Sequence, residues 1–495
     1  MHISLERDAG RDGRPVYRQI ADQLRREVEA GHLLPGSRLP PIRGLARRLK
    51  VNRDTVALAY EELATAGLVE SAVGRGTFVC AGAETGRAAA APFEPAFPPL
   101  VERLLDFERA RPRFGSASDA VPMHALIPDP SLYPADAFRR VLNRALVEGG
   151  PELLLYGSPQ GHLGLREVLA RRLRDASIPV DPHGLLLCHG ASQGISLALR
   201  VFAGPGDVVA LEDPTYNNVL AAAFGLGLRT APVPMREDGL DLGVLERTLG
   251  RPEVKLLYTM PTFHNPLGTT TSLAHRRALL EIADRCGVPV IEDGYEMDLR
   301  FEGRAQPPLA ALDSSGRVIH LFSFSKSLFP GVRVGAVTAR GRALDALLAL
   351  KQATDLSDAM PLQAALADFV ADGSYDRHLG RLRRTLRARR DALLEALAEQ
   401  MPAGTRWTTP QGGYQVWVEL PEGLDTSDLL ADAVGAGVLF APGAQFHHDG
   451  RASRCLRLSL AMADTEALRR GAAALAGVVR ARLSGAPRRA VRVHI

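Results

Sequence analysis

From Val121 onward, the chain alternates short apolar runs with long amphipathic segments, and this alternation limits its fold more than any other feature. The apolar runs are rich in leucine and β-branched residues, as in LLLC, VVAL, VKLLYT and VPVI. The segments between them, such as LREVLARRLRDA and HRRALLEIADRCG, have the apolar spacing of amphipathic helices. Strands that alternate with helices of this length predict an α/β domain, with a mainly parallel sheet flanked by helices.

Length and composition exclude several classes of protein. A chain of 495 residues exceeds one ordinary domain, so two or three domains are expected. The 46% apolar and 23% charged residues are typical of a soluble globular protein. No apolar run is long enough for a membrane span, and the first residues, MHISLERDAGRDGR, are too charged for a secretory signal. We therefore expect no membrane partner.

The cysteines indicate a cellular compartment. Four are present, and they lie far apart at Cys80, Cys188, Cys286 and Cys455. Their spacing is not that of metal ligands, so no metal site is predicted. Widely spaced single cysteines are typical of reduced thiols, and we therefore expect a cytoplasmic protein.

Composition changes at about residue 80 and again at about residue 120. Residues 81–120 are rich in alanine, proline and glutamate without a long periodic pattern, which predicts a linker with one short helix around Val101 to Arg109. The predicted domains are therefore residues 1–80 and 121–495. Within the second, Ser374 begins a long arginine-rich helix, and a smaller α+β part follows it.

The first eighty residues contain three helical patterns. The first stops near Gly31, Pro40 or Pro41 starts the second, and Asn52 can cap the third after a tight turn at Lys50. Two helices joined by so short a turn predict a helix-turn-helix. The inner faces are Tyr17, Ile20, Leu24 and Val28, then Ile42, Leu45, Ala46 and Leu49, then Val56, Ala59 or Tyr60, and Leu63.

The start of the third helix is exposed and polar, as in a recognition helix that meets base edges. Two short strands follow around Gly74 and Arg75, and an arginine at this hairpin tip can enter a minor groove. Residues 1–80 carry 13 basic and 10 acidic side chains, a small excess that permits a nucleic-acid partner. A three-helix domain that docks proteins has the same periodicity, so the pattern alone leaves both interpretations open.

The segment SFSKSLFPGVRVG, residues 323–335, predicts the chemistry of the larger domain. Lys326 follows the apolar run VIHLF, beside Ser323 and Ser325, and Arg333 lies seven residues further on. The serines and the arginine would hold a phosphate, and Lys326 would form a Schiff base with the aldehyde of pyridoxal phosphate. The alternative is a surface loop with two solvated cations.

The scarcity of lysine favours the chemical interpretation. The chain has four lysines against 56 arginines. A lysine kept in such a sequence is expected to do what arginine cannot, which is to lose its proton and attack a carbonyl carbon.

Two further motifs follow apolar strands and suit the same cofactor. In EDGY, Asp293 would pair with the protonated pyridine nitrogen, and Tyr295 would hydrogen-bond the ring oxygen O3′. The alternative for Asp293 is a helix N-cap. In HGASQG, the small residues of a strand-to-helix turn let backbone N–H groups approach a phosphate, and they are Gly190, Ala191 and Ser192.

In their order along the chain, these motifs resemble those of the fold-type I aminotransferases, over nearly all of residues 121–480. The resemblance implies that Asn265 in TFHNPLG donates to O3′. It also implies that Tyr216 in EDPTY stacks on the pyridine, although a buried core tyrosine has the same signature. Tyr156 would reach the phosphate of a neighbouring subunit, which implies a homodimer.

The resemblance also covers the ligand side of the pocket. Arg457 in CLRLSLA would bind the α-carboxylate of an amino acid through its guanidinium, whereas the alternative is a surface ion pair. Leu126 stands where relatives have glycine, and it would narrow the substrate side of the pocket or move its backbone.

The first eighty residues resemble the winged helix of GntR-type bacterial regulators. That resemblance implies DNA contacts by Arg43, Asn52, Arg53, Thr55, Gly74 and Arg75. Taken together, the two resemblances identify the chain as similar to the MocR/GabR-like regulators, which fuse these modules. They imply a double-stranded DNA operator as partner, pyridoxal 5′-phosphate as cofactor, and a small amine, an amino acid or the cofactor itself as effector.

Three functions fit these features. The first is a transcriptional regulator that senses its effector through the Lys326 Schiff base. The second is a working class I/II aminotransferase that carries a DNA-binding domain. The third is a degenerate fold that only dimerises the DNA reader, and the intact Lys326, Asp293 and Arg333 argue against it. Fusion to a near-complete winged helix favours the first.

Overall fold

The computed structural model describes residues 15–72, 76–80, 95–109 and 119–485. The chain divides into two compact units, Met1–Ala96 and Phe97–Ile495. All four cysteines are free thiols. Among the described helices, none combines the length and the hydropathy that crossing a bilayer requires.

The smaller unit is a helix-turn-helix followed by a β-hairpin. Its elements are α1 (Val16–Glu29), α2 (Ile42–Leu49), α3 (Arg53–Thr65), β1 (Val69–Ala72) and β2 (Gly76–Val79). The two strands pair antiparallel, with Val69 opposite Val79. This architecture confirms the three predicted helices and the hairpin that follows them.

The apolar faces of these helices form one small core. Ile20 and Leu24 of α1 pack with Val56 and Leu63 of α3, and all four are fully buried. The turn between α2 and α3 is tight because Lys50 adopts the left-handed conformation, with φ 52°. Two helices with interlocked apolar faces hold the start of α3 in place, and that start is exposed.

Hydrogen bonds fix the start and the middle of α3. The Asn52 side chain accepts a hydrogen bond from the Asp54 N–H at 3.2 Å, as the sequence predicts for an N-cap. Midway along the helix, the Tyr60 hydroxyl donates to the Pro40 carbonyl at 2.7 Å, which ties α3 to the segment before α2.

The larger unit is an α/β domain with a smaller α+β part. Its helices are α4 (Pro99–Arg109), α5 (Ala135–Gly149), α6 (Leu163–Asp175), α7 (Ala191–Phe202), α8 (Asn217–Gly225), α9 (Leu242–Leu249), α10 (Leu273–Cys286), α11 (Leu309–Leu312), α12 (Gly341–Thr354), α13 (Met360–Ala371), α14 (Ser374–Gln400), α15 (Thr426–Gly435) and α16 (Thr465–Leu483). Its strands are β3 (Val121–Pro122), β4 (Leu185–Cys188), β5 (Val208–Asp213), β6 (Arg229–Arg236), β7 (Gly239–Leu240), β8 (Val254–Thr259), β9 (Val290–Asp293), β10 (Val318–Ser323), β11 (Gly335–Thr338), β12 (Arg406–Trp407), β13 (Gln415–Glu419), β14 (Val438–Leu439), β15 (Ala441–Pro442) and β16 (Cys455–Ser459).

The main sheet has eight strands in the order β4-β11-β10-β9-β8-β5-β6-β7. The run from β10 through β9, β8 and β5 to β6 is parallel, whereas β11 is antiparallel to both β10 and β4, and β7 is antiparallel to β6. The prediction of a mainly parallel sheet with flanking helices is therefore confirmed. Strands β4, β5, β8, β9 and β10 all end at the same edge of the sheet, where ligands bind in open α/β sheets.

The smaller part contributes a second sheet beside that edge. Its strands follow the order β12-β13-β16-β15, with Trp417 of β13 opposite Arg457 of β16. The segment after β3 runs along β16, because the Ser459 N–H donates to the Met123 carbonyl at 2.9 Å. A partly buried ion pair between Arg389 and Asp129, at 2.6 Å, holds the far end of this segment. Leu126 lies between these two attachments.

The short helix predicted within residues 81–120 is α4. It packs against α8 through an edge-to-face contact between Phe107 and Phe224, whose ring centroids are 5.3 Å apart. This contact places α4 in the larger unit. The range predicted as a linker therefore contains a helix that belongs to the α/β domain.

Candidate functional site

A cavity of about 250 Å³ opens where the parallel strands of the main sheet end. Eleven of the residues predicted for the cofactor and its ligand line it: Ala191, Ser192, Tyr216, Asn265, Asp293, Tyr295, Ser323, Ser325, Lys326, Arg333 and Arg457. The wall also includes Leu126, Asn217 and Pro330. Residues that are up to 331 positions apart in the chain, from Leu126 to Arg457, are thus brought to one pocket.

One end of the cavity suits a phosphate. Gly190, with φ 80°, is the N-cap of α7, and the first two residues of this helix, Ala191 and Ser192, line the cavity. The N-terminus of the helix therefore lies at the cavity wall, where its free N–H groups can bind an anion. A Cβ atom at Gly190 would lie 3.0 Å from Nη2 of Arg333, and that nitrogen donates to the His189 carbonyl at 2.7 Å. A cation, a helix N-terminus and a close backbone approach therefore meet at one point, as anion binding requires.

Asp293 lies at the opposite side, at the end of β9. Its carboxylate accepts hydrogen bonds from the Tyr258 hydroxyl at 2.7 Å and from the Tyr295 N–H at 3.2 Å. Burial raises the pKa of Asp293 to about 6, against the lowering effect of these two donors. The group is therefore ionised at neutral pH and can accept from a protonated ring nitrogen. It caps no helix, so the alternative interpretation of Asp293 is not needed.

Lys326 reaches into the cavity from the loop after β10. Its Nζ donates to the Leu126 carbonyl at 2.5 Å, so the residue that departs from the family pattern contributes a backbone acceptor. Burial lowers the pKa of Lys326, and the Arg457 and Arg333 cations lower it further, whereas Glu296 opposes this effect. An amine whose pKa is lowered supplies the neutral form that attacks a carbonyl.

Arg457 is a buried cation without a carboxylate partner among the described residues. Its Nη1 donates to Asn265 Oδ1 at 2.9 Å, and its Nη2 donates to the His124 carbonyl at 2.6 Å, while Nε has no partner. The guanidinium carbon lies 4.9 Å from the centre of the Phe446 ring. Burial lowers the pKa of Arg457 to about 10. The alternative of a surface ion pair is wrong, and a ligand carboxylate would complete this site.

Asn265 and Tyr216 complete the walls. Because Asn265 Oδ1 accepts from Arg457, the amide hydrogens of Asn265 are left for a ligand in the cavity. Tyr216 is partly buried and lines the cavity, and its hydroxyl accepts from Asn218 Nδ2 at 2.7 Å. A ring with one face toward a cavity can stack on a flat ligand.

Tyr156 does not lie in this cavity. It is 83% exposed and lines a separate surface groove together with Leu153, Leu154, Leu155, Ser357, Asp358, Ala359, Met360 and Pro361. Within one chain, Tyr156 therefore does not reach the phosphate end.

The structure also brings in residues that sequence reasoning did not select. Tyr258 orients Asp293, and Leu126 accepts from Lys326. Glu296 is fully buried, and Gln415 donates to it at 3.0 Å. Tyr258 and Gln415 lie within apolar strand patterns, where nothing distinguishes them from core residues. Glu296 directly follows the EDGY motif. A second acidic residue so close to a strand-end carboxylate is a sequence signal that could have indicated a place in the pocket.

Four of the six predicted DNA contacts lie at the surface of the smaller unit. Arg43, Asn52 and Arg53 are exposed, and Thr55 is partly exposed on the first turn of α3. Arg53 approaches Asp54 at 3.5 Å, with both side chains largely exposed, so this contact leaves its guanidinium accessible to a partner. Gly74 and Arg75 lie outside the described residues.

Comparison with protein families divides the chain at the same place. Residues 16–79 match the family described as bacterial regulatory proteins, gntR family. Residues 131–475 match the family described as aminotransferase class I and II. The chain therefore carries both modules in one polypeptide.

Relatives that span both modules decide the assignment. The chain is 32% identical to the probable rhizopine catabolism regulatory protein MocR of Rhizobium meliloti, over 90% of each protein. The chain belongs to the MocR-like regulators of the GntR family. It is also 34% identical to aromatic-amino-acid aminotransferase 1 of Thermococcus litoralis, over 73% of this chain and 88% of that protein.

Solved structures agree with the fold of the larger unit in this MocR-like chain. The multiple substrate aminotransferase from Thermococcus profundus superposes with a TM-score of 0.72 at 32% identity, over 79% of this chain and 96% of that one. The α-aminoadipate aminotransferase LysN from Thermus thermophilus, complexed with N-(5′-phosphopyridoxyl)-L-leucine, gives 0.70 at 32% identity, over 78% and 96%. The cofactor of this domain is pyridoxal phosphate. Three features of the cavity fit it: the helix N-terminus beside Arg333, the buried Asp293 carboxylate, and the Lys326 amine, whose pKa is lowered.

Glu296 makes the proton affinity of Lys326 testable. Replacing Glu296 with Gln removes a negative neighbour that favours the ammonium form, so the pKa of Lys326 should fall. We expect the rate of covalent cofactor incorporation into apoprotein to reach its plateau at lower pH, by on the order of one pH unit. The pH profile of the visible absorbance that develops measures this. The exposed Glu422→Gln variant should match the wild type, and an unchanged profile in Glu296→Gln would contradict the coupling.

Proposed function

We propose that this protein is a transcriptional regulator that senses a small amine, an amino acid or pyridoxal phosphate through Lys326. The observation that carries the proposal is that eleven of the predicted cofactor and ligand residues line one pocket, in a chain whose residues 16–79 match the GntR family of DNA-binding regulators. Relatives named as transcriptional regulators match over the length of both modules, such as YisV of Bacillus subtilis at 30% identity over 94% of this chain.

The pocket supports reversible exchange of amines. When bound, pyridoxal phosphate offers an aldehyde carbon that condenses with an amine and releases water. Lys326 would supply the protein's own amine, and Asp293 would hold the charge of the ring nitrogen. A ligand amine would compete with Lys326 for the aldehyde carbon, and the Leu126 carbonyl is an acceptor for the Lys326 Nζ when it is free. Arg457 would bind the carboxylate where the ligand has one, because no carboxylate of the described residues is paired with its guanidinium.

The DNA partner is a double-stranded operator read by the smaller unit. Asn52, Arg53 and Thr55 present polar groups at the start of α3, where a recognition helix contacts base edges and phosphates, and Arg43 presents its guanidinium at the start of α2. Gly74 and Arg75 belong to the proposed interface through the resemblance alone. Ligand binding regulates transcription if it favours one of two states that differ in DNA affinity, and that coupling is necessarily reciprocal.

The exposed apolar surface around Tyr156 supports a homodimer. Val147, Leu154 and Leu155 are 82%, 69% and 62% exposed, and Leu154 and Leu155 line the groove that also contains Tyr156. A run of large exposed apolar side chains marks an interaction surface. In the proposed dimer this surface is covered, and Tyr156 completes the phosphate end of the partner's pocket. The assembly is cytoplasmic, in keeping with its four free thiols.

The alternative of a working aminotransferase is less favoured. The residues of the pocket permit transfer chemistry, and several relatives of the larger unit alone are named as aminotransferases. The relatives that match both modules, however, are named as regulators. A DNA-binding domain makes no contribution to the transamination reaction itself, so its presence favours the regulator.

The role of Lys326 is tested by removing its amine. We expect wild-type protein to be yellow and to carry a borohydride-trappable adduct on Lys326, since only a neutral amine in the pocket can hold the aldehyde. Lys326→Ala should lose both the visible band and the adduct, whereas Lys255→Ala, at an exposed site, should retain both. Absorbance spectra and peptide mass analysis read the outcome. Colourless wild-type protein that cannot be reconstituted with cofactor would refute the proposal.

The DNA reader is tested through Arg53. Arg53→Ala should weaken operator binding by about 1–3 kcal/mol if the side chain reads a base, and otherwise lower the salt dependence by about one phosphate contact. Fluorescence anisotropy at several salt concentrations separates the two results. Arg26→Ala, on the exposed side of α1, is the matched control. The cofactor spectrum should stay unchanged in both variants, and unaltered DNA affinity in Arg53→Ala would remove α3 from the interface.

The dimer is tested at the apolar surface. Leu155→Asp should yield a monomer in light scattering, because the introduced charge would be buried without a partner. Tyr156→Ala should remain dimeric but hold pyridoxal phosphate more weakly, which equilibrium dialysis measures. Leu483→Asp, at a 45% exposed position on α16, should alter neither property. A cofactor affinity that is identical in Tyr156→Ala and wild type would exclude the proposed role of Tyr156.

A further inference from the structure

One buried amide connects the smaller part of the α/β domain to the cofactor pocket. Gln415, the first residue of β13, is fully buried. Its Nε2 lies 2.9 Å from the Phe263 carbonyl, 2.7 Å from the Tyr295 hydroxyl and 3.0 Å from Glu296 Oε2. Three oxygens from two separate loops thus surround one nitrogen atom.

The chemistry of these neighbours determines how the amide is oriented. The Phe263 carbonyl accepts hydrogen bonds only, whatever the protonation state of Glu296. The amide must therefore place its nitrogen, rather than its oxygen, at this point. Glu296 is held against the backbone here, since a Cβ atom at Gly413 would lie only 2.4 Å from Glu296 Oε2.

The same argument fixes the direction of the Tyr295 hydroxyl. Gln415 Nε2 carries two hydrogens for these three oxygens, and its contact with the Tyr295 hydroxyl, at 2.7 Å, is the shortest of the three. An amide nitrogen does not accept hydrogen bonds, so the hydrogen in this contact belongs to Gln415. The Tyr295 oxygen is then an acceptor on that side, and its own hydrogen must point elsewhere. The nearest protein acceptor is the Phe263 carbonyl at 3.5 Å, which is too long for a good hydrogen bond. The other direction is the cavity that Tyr295 lines.

We propose that Gln415 is a positioning residue that turns the Tyr295 hydroxyl into a donor toward the phenolic oxygen of the cofactor, with Glu296 holding the amide in place. This inference rests on the proposed function, because it requires pyridoxal phosphate bound to Lys326. A donor at the phenolic oxygen stabilises negative charge there. The lysine-bound cofactor should therefore release its proton at lower pH than it would without this donor.

Several ionisable groups face Tyr295 and the cofactor and remain in place in every variant described below. They are Asp293 and Glu296 after β9, Tyr258 on β8, Lys326 and Arg333 between β10 and β11, Tyr414 before β13, and Arg457 on β16. Since these groups are the same in all variants, a change in the proton affinity of the bound cofactor can be assigned to Gln415 or Tyr295, the two side chains that are replaced.

The experiment is a double-mutant cycle on full-length holoprotein. The pH midpoint of the visible cofactor band is measured in wild type, Gln415→Met, Tyr295→Phe and the double variant. Each single variant should raise the midpoint, and the double variant should equal Tyr295→Phe, because Gln415 acts only through the tyrosine hydroxyl. Cofactor affinity and circular dichroism report separately on any loss of structure. Gln415→Asn, whose amide is one methylene short of Tyr295, should shift the midpoint in the same direction.

The outcomes separate this inference from the function on which it rests. Wild-type protein without a visible band would overturn the proposed function itself. If the pH midpoint of the visible band rises by the same amount when Gln415→Met is introduced into wild type and into Tyr295→Phe, that result would overturn the positioning role alone. An unchanged midpoint in both Gln415→Met and Gln415→Asn would do the same. Non-additive shifts in the expected direction would support it.

Discussion

The carboxyl ends of five strands, β4, β5, β8, β9 and β10, lie at one edge of the main sheet, and the cofactor site depends on that alignment. Each of these strands is almost entirely buried, so a shift of one residue would exchange its two packed faces and move the loop that follows it. The register therefore places Gly190, Tyr216, Asn265, Asp293 and Lys326 with the same precision as the core. Catalytic-type side chains on short loops gain their positions from this rigid scaffold.

The pocket combines two buried cations with two buried carboxyl groups. Lys326 and Arg457 lie near Glu296, while Asp293 is stabilised by Tyr258 and by a backbone N–H. Burial raises the pKa values of the carboxyl groups and lowers those of the cations, so each group needs its neighbours to stay charged. Arg457 has neutral oxygens as its protein partners, which leaves its charge for a ligand carboxylate. A ligand therefore completes the electrostatics of the site.

Most of the fold could be predicted because its signals are local. The apolar spacing of α1 and α3, the cap at Asn52 and the alternation of strands with helices are each encoded within a few neighbouring residues. The motif residues of the pocket were equally accessible, since each stands at a strand end or a helix start. Tyr258, Gln415 and the Leu126 carbonyl could not be found in this way. Their roles come from neighbours that are distant in the chain, such as the 200 positions between Leu126 and Lys326.

The sequence by itself determined the order of the two modules, the type of the sheet and the chemical identity of most groups that line the pocket. It did so because periodicity, capping and strand-end motifs reflect the physics of short segments. Only the tertiary structure decided that Arg457 has no carboxylate partner in the described part of the chain, that Tyr156 lies outside the pocket of its own chain, and that Gln415 contacts the Tyr295 hydroxyl. Hydrogen-bond direction and burial are properties of packed neighbours, and packing is known only when the chain is folded.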